Sequence, residues 1–444
     1  MAADVMSLEQ EQETAVSRSA PPAPEPRLIR AGSGVRTDWR EPLALWAASR
    51  VLVAVALVVG SFVWPIWHDF KKVNPHAGPV ADLRGYLRDY AANPAEYGPS
   101  PMIGVKLGGE WSWLAPFVQW DAVWFQSVVE LGYRPFPELK SQQNVAFFPG
   151  YPLTIRGATR LGLPAPLAAV LIAQLCTLLA SVVLHRTIAR HWGVNTARWA
   201  TAAWLFWPAS LFGSTGYSDS LMALLAALSM EGLLAERYVV SGLWAGLATA
   251  TRAPALAIGF SLIPAVFSRK GGWAILGGLL SVTGVLAYFS HLWSISGDPL
   301  LYPHILQSWS AGREKMFNPI LWVLMILRHG FRSLRVVSQG EPSYLLYSSH
   351  LWEPLFAGIV LVLFVGVCRL RRPGLALSCF LMIAMPLHGG GLTSFTRYSW
   401  CNLPLFVVLG LWLSGHGGRW LWIAGSTLVL IWLAVMHGGG WEVI

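Results

Sequence analysis

Apolar runs long enough to enter or cross a bilayer recur from Leu43 almost to the end of the chain, and no polar linker separates them into domains. This pattern predicts an all-α fold, a polytopic transmembrane helical bundle. Composition agrees: 54% of the residues are hydrophobic and 12% charged, against about 25% charged in an ordinary soluble domain.

The net charge of +9 raises the question of nucleic acid. The Lys and Arg residues, however, cluster between apolar runs instead of lining one stripe, as topology signals do. No nucleic-acid partner is therefore expected. Cys176, Cys368, Cys379 and Cys401 lack the close spacing of a zinc or redox pair and read as small core residues. Residues 1–40 are rich in Ala, Pro, Glu and Arg and are expected to be a disordered cytoplasmic tail. No apolar segment follows the start directly, so a signal peptide is not expected, and the run Leu43 to Trp67 reads as the first membrane anchor.

Arginines at 18, 27, 30, 36 and 40 precede the first span, and Arg186, Arg190 and Arg198 follow the second, at 167–185. The positive-inside rule puts both flanks in the cytoplasm. Residues 65–166 then form a structured external region with interfacial helices, inside one membrane domain covering 41–444. Further spans are expected at 199–214, 219–236, 241–250, 255–267, 273–292, 355–369, 375–390, 402–414 and 420–436, about eleven in all. The short arms around Arg252 and Pro254 suggest a broken pair, tolerable where it lines a cavity. Residues 318–335, with Arg328, Arg332 and Arg335, read best as an amphipathic helix at the outer interface.

This topology gathers most carboxylates outside. Asp121 stands among aromatics in Gln119-Trp120-Asp121-Ala122-Val123-Trp124-Phe125, shortly before Tyr133. A partly desolvated carboxylate beside a surface on which a sugar ring can stack can serve as a general base. Helix capping with an aromatic belt explains the same pattern equally well. For Ser218-Asp219, capping is the better explanation, and a substrate contact is compatible with it. Turn chemistry explains Gly297-Asp298-Pro299. Arg252 and Arg397 can each bind a lipid phosphate bidentately. Snorkelling to the headgroups accounts for Arg252 better than for Arg397. His388 has no second ligand nearby and reads as part of an external loop.

Trp120-Asp121-Ala122, Gly132-Tyr133, Ala146-Phe147-Phe148-Pro149, Tyr217-Ser218-Asp219-Ser220, Ala250-Thr251-Arg252, Gly297-Asp298-Pro299 with Gln307 and Trp309, and Ser394 to Tyr398 occur in this order. Together they resemble the PIG-V-type integral membrane mannosyltransferase family, of the GT-C class of glycosyltransferases. The resemblance implies a GT-C-like bundle, a polyprenyl-phosphate-linked sugar donor, a lipid or glycan acceptor, and inversion at the anomeric carbon. It makes Asp121 the catalytic base and Arg397, with Arg252, the donor-phosphate ligands. Trp120, Trp124, Tyr133, Tyr217, Asp219, Asp298, Gln307 and Tyr398 become candidate substrate contacts. Gln119 departs from the Arg often found before Trp-Asp, and Gly150 from a bulkier apolar residue; both bear on substrate identity.

The chemistry needs no metal, although Asp121 with a second external carboxylate could hold one. The rival readings are a lipid or solute transporter or flippase and a non-catalytic assembly subunit. The first predicts ionisable groups near the bilayer midplane and repeats that the sequence does not show. Short loops and an Ala/Trp/Gly-rich composition point to a bacterial plasma membrane over the endoplasmic reticulum, with the active site on the non-cytoplasmic face.

Overall fold

The structure, a computed structural model, describes residues 38–63, 74–136, 141–306, 318–338, 352–389, 391–441 and 443. Most of the expected N-terminal tail, and Gln307 and Trp309, fall outside the described residues.

Helix α1 (Arg40–Val63) is followed by a short parallel ladder, β1 (Gly78–Val80) on β2 (Val105–Leu107), with α2 (Leu83–Ala92) between the strands. Next come α3 (Asp121–Leu131), α4 (Gly150–Thr159), α5 (Ala165–Trp192), α6 (Val194–Leu205), α7 (Asp219–Leu234) and α8 (Tyr238–Thr249). The chain continues through α9 (Gly271–Ser281), α10 (Thr283–Ser296), α11 (Leu301–Leu306), α12 (Pro319–Ser338), α13 (Trp352–Arg369), α14 (Pro373–His388), α15 (Phe395–Trp400), α16 (Leu403–Gly415) and α17 (Arg419–Gly438).

Among the described residues five segments are long and apolar enough to cross a membrane: α1, α5, the continuous stretch α9–α10, α13 and α17. Shorter apolar helices fill the space between them. The chain is an integral membrane protein, and its described residues form an all-α bundle apart from one short ladder.

The expected span 199–214 is not a continuous helix. Pro208 cannot continue α6 and ends it at Leu205, and residues Pro208–Gly213 follow as a tight 3₁₀ turn. A break leaves carbonyls without helical partners, which is costly away from water. Arg50 of α1 answers two of them, donating to Ser210 O at 2.6 Å and Leu205 O at 3.1 Å. The Trp400 indole donates to Trp204 O at 3.0 Å, and Trp204 returns the bond to Trp400 O at 3.0 Å, with the rings stacked 4.9 Å apart. Pro264 similarly turns the expected span 255–267 into a short helix, Leu256–Gly259, followed by 3₁₀ turns.

Helix α17 lies backbone to backbone on α1. A Cβ on Gly60 would collide with Val435 O, and one on Gly438 with Leu57 O, so small residues set the approach. Gly438→Leu is expected to force these helices apart and cost about 1–3 kcal/mol, read as a lower unfolding temperature in detergent. Because His437, the preceding residue, accepts a hydrogen bond from the Gln119 side chain, this contact also fixes the loop that leads into α3.

Candidate active site

A cavity of about 620 Å³ opens where α3, the Phe212–Ser218 turn, the break after α8, α11, α14 and α15 converge. That volume lies in the range of small-ligand pockets. Seven of the candidate catalytic and substrate-contact residues line it: Trp120, Asp121, Trp124, Tyr217, Arg252, Arg397 and Tyr398.

Local backbone chemistry aims Asp121. Trp120 takes a left-handed φ of 56°, rare for a bulky side chain and costly, and α3 starts at the next residue. The Asp121 side chain then points to the cavity instead of capping its helix. Its Oδ2 lies 2.7 Å from Nη1 of Arg397. The carboxylate keeps 27% exposure, while the arginine side chain keeps 5%.

Arg397 is held on α15 from three directions. Its Nε donates to both carboxylate oxygens of Asp219 at 3.1 Å. Its guanidinium lies 4.7 Å above the Tyr217 ring and 5.1 Å from that of Phe212. Burial works against its charge, but the carboxylates of Asp219 and then Asp121 outweigh that and hold its pKa well above the ordinary arginine value. Burial foremost, and then the Asp121 charge, pushes the Tyr217 phenol well above its own ordinary value, so it stays neutral.

The turn that carries Arg397 is itself fastened. Glu353, buried near the start of α13, accepts from the Thr396 N–H at 2.7 Å and the Thr396 hydroxyl at 2.8 Å. Glu353 was not singled out in the sequence. An acidic residue at the start of an apolar run reads as helix-terminus charge, and its partner lies 43 positions away.

Two expectations are corrected. Asp219 does not cap α7: its side chain makes no capping bond, is fully buried behind the cavity wall, and binds both Arg397 and Arg252. Arg252 does not snorkel to headgroups. It pairs with Asp219, keeps 12% side-chain exposure, and lies 4.9 Å over the Tyr398 ring. The break after α8 is where the short arms suggested it, and Arg252, Ala253, Pro254 and Leu256 line the cavity there.

Other sequence candidates lie off the wall. The Tyr133 hydroxyl donates to Phe147 O at 2.7 Å and its ring packs 5.2 Å from Tyr288. Asp298 accepts from the Leu300 N–H at 2.8 Å and pairs with His304 at 2.8 Å. Those bonds, the backbone one first, hold its carboxyl below the usual carboxylate range. Conversely, His437, Tyr302, Phe147 and Phe148 line the cavity without having been assigned a role. Among the described residues no cluster of three or more His, Cys, Asp or Glu side chains could hold a metal.

Fold and cavity together define a polytopic membrane protein with a paired carboxylate–guanidinium site inside its bundle. The sequence profile of the family described as "Mannosyltransferase (PIG-V)" matches residues 106–268, a stretch that contains Asp121, Asp219 and Arg252 but ends before Arg397. GPI alpha-1,6-mannosyltransferase 2 of Cricetulus griseus is 33% identical over 156 residues, 32% of this chain and 30% of that one. The Homo sapiens protein of the same name is 30% identical over 185 residues, 38% of this chain and 35% of that one. The chain thus matches about a third of the length of these relatives. Among solved structures, ArnT from Cupriavidus metallidurans bound to undecaprenyl phosphate superposes with a TM-score of 0.46 at 15% identity, covering 87% of this chain and 62% of that chain. The resemblance to the PIG-V-type family drawn from the motifs is found again in the family profile and in these mammalian relatives.

Proposed function

We propose that the chain is a GT-C-type mannosyltransferase. It transfers a mannosyl group from a polyprenyl-phosphate donor to a hydroxyl of a lipid or glycan acceptor on the non-cytoplasmic face. The observation that carries this reading is the direct contact of Asp121 with Arg397 on the wall of one aromatic-lined cavity.

Asp121 accepts the proton of the acceptor hydroxyl as that oxygen bonds to the anomeric carbon. The bond from that carbon to the phosphate oxygen breaks on the opposite side, which inverts the centre. The leaving polyprenyl phosphate takes the electron pair, and Arg397 and Arg252 offset its charge. A phosphate that reaches Arg397 competes with Asp121 for Nη1, so donor binding uncovers the base. Trp124 and Tyr398 supply ring faces for the sugar. Asp219, fully buried, orients both arginines and does not itself meet substrate.

The test is incubation of the purified chain with polyprenyl-phosphate mannose and a membrane lipid extract. The expected result is release of polyprenyl phosphate with gain of one hexose, of opposite anomeric configuration, on a lipid or glycan. Movement of the donor across vesicles without any transfer would support a flippase instead.

A further inference from the structure

Helix α12 differs from the rest of the bundle in how its charge and its exposed apolar surface are divided. Trp322, Met325 and Ile326 are buried, and they form the face packed on the protein. Ile320, Leu324, Leu327, Phe331 and Leu334, spaced three and four apart on another face, are 50–69% exposed. Arg328 and Arg332, four apart and both exposed, form a basic strip beside that apolar one.

Neighbouring side chains set the depth of this helix. The Trp322 ring is 6.3 Å from that of Phe380 on α14, which is 5.9 Å from that of Phe364 on α13. At the other end, a Cβ on Gly330 would lie 3.9 Å from Pro354 at the start of α13. From Pro354 to Phe364 is roughly 15 Å along α13, and from Trp322 to Gly330 roughly 12 Å along α12. The two helices therefore run alongside each other in opposite directions. The start of α12 lies roughly 16 Å in from the level of Pro354, about half of a hydrocarbon core roughly 30 Å thick, and Arg328 and Arg332 stand level with the end where α13 enters the bilayer. Glu353, at that same end, fastens the turn carrying Arg397, so the arginines belong to the leaflet on the cavity's side.

We propose that α12 is a half-membrane helix whose Arg328 and Arg332 grip the phosphate of an anionic phospholipid in that leaflet, while its N-terminal half lies among the acyl chains. A two-residue guanidinium clamp suits a phosphate, and the exposed apolar strip below it suits hydrocarbon. The inference needs only the membrane reading and stands independently of sugar transfer.

Native mass spectrometry of the full chain, purified in detergent and given phosphatidylglycerol or phosphatidylcholine, tests it. The wild type is expected to retain phosphatidylglycerol preferentially. R328Q/R332Q should lower that retention by about tenfold, and R328K/R332K should keep part of it. Equal retention of both lipids by the wild type, or undiminished retention by the Gln variant, overturns the proposal. So does retention of added polyprenyl phosphate in preference to phosphatidylglycerol. Depth is checked separately, after Cys368→Ser removes the exposed native thiol. In sealed vesicles, L324C should resist a water-soluble maleimide that labels R332C, and equal labelling of the two refutes a half-membrane helix.

Discussion

Asp121→Asn is expected to lower sugar transfer by about 10²–10⁴-fold while leaving the protein folded. Asparagine keeps the size of the side chain, and its oxygen can still accept from Arg397, so the wall of the cavity persists. It cannot accept the acceptor's proton. Transfer should be followed in single turnover with the purified variant, alongside its elution and unfolding temperature, so that a lost fold is not mistaken for lost chemistry. Undiminished transfer by a folded Asp121→Asn protein would remove the carboxylate from the role of base.

Arg397→Leu should have the largest effect on stability. It strands a fully buried carboxylate, Asp219, with Arg252 as its remaining ion-pair partner, and it removes the guanidinium that faces Asp121. Removing one member of a buried ion pair typically costs about 3–5 kcal/mol, measurable as reduced resistance to heat or denaturant in detergent. If burial of the stranded charge is the cause, Asp219→Leu combined with Arg397→Leu should lose less than the sum of the two single variants. Strict additivity would show that the contacts among these residues carry little coupling. Arg397→Lys restores one charge without the planar fork that meets two carboxylates at once, and should recover stability only in part.

Much of the fold was legible because its signal is local. Long apolar runs, the basic clusters between them and the prolines at breaks can be read a few residues at a time. Pro208 was visible, yet the surrounding hydrophobicity suggested a continuous span. What makes the break tolerable is Arg50, some 155 positions earlier, and nothing beside Arg50 announces that use.

The site divides in the same way. Asp121, Arg252 and Arg397 stand out as charges in apolar or aromatic surroundings, and the structure brings all three to one cavity. Their arrangement was not legible, because Asp219 and Arg397, on two helices far apart in the chain, meet across 178 positions. Asp219 looked like a cap because the first turn of a helix is where an acidic residue usually meets backbone N–H groups. Two guanidiniums, that of Arg397 buried and that of Arg252 partly so, outcompete those groups for its oxygens. Tyr133, part of a quoted motif, braces the cavity from behind by holding Phe147.

Arg50 also bears on how the protein is made. An arginine at the centre of a membrane helix costs about 2.5–3.5 kcal/mol on insertion, and the groups that receive this one, Leu205 O and Ser210 O, are synthesised long after it. The first helix therefore enters the bilayer with its positive charge unsettled until the broken segment emerges from the ribosome. Nascent chains arrested before that segment should hold the first helix in the membrane less firmly than chains arrested after it, which makes the break a latch that closes late in biogenesis.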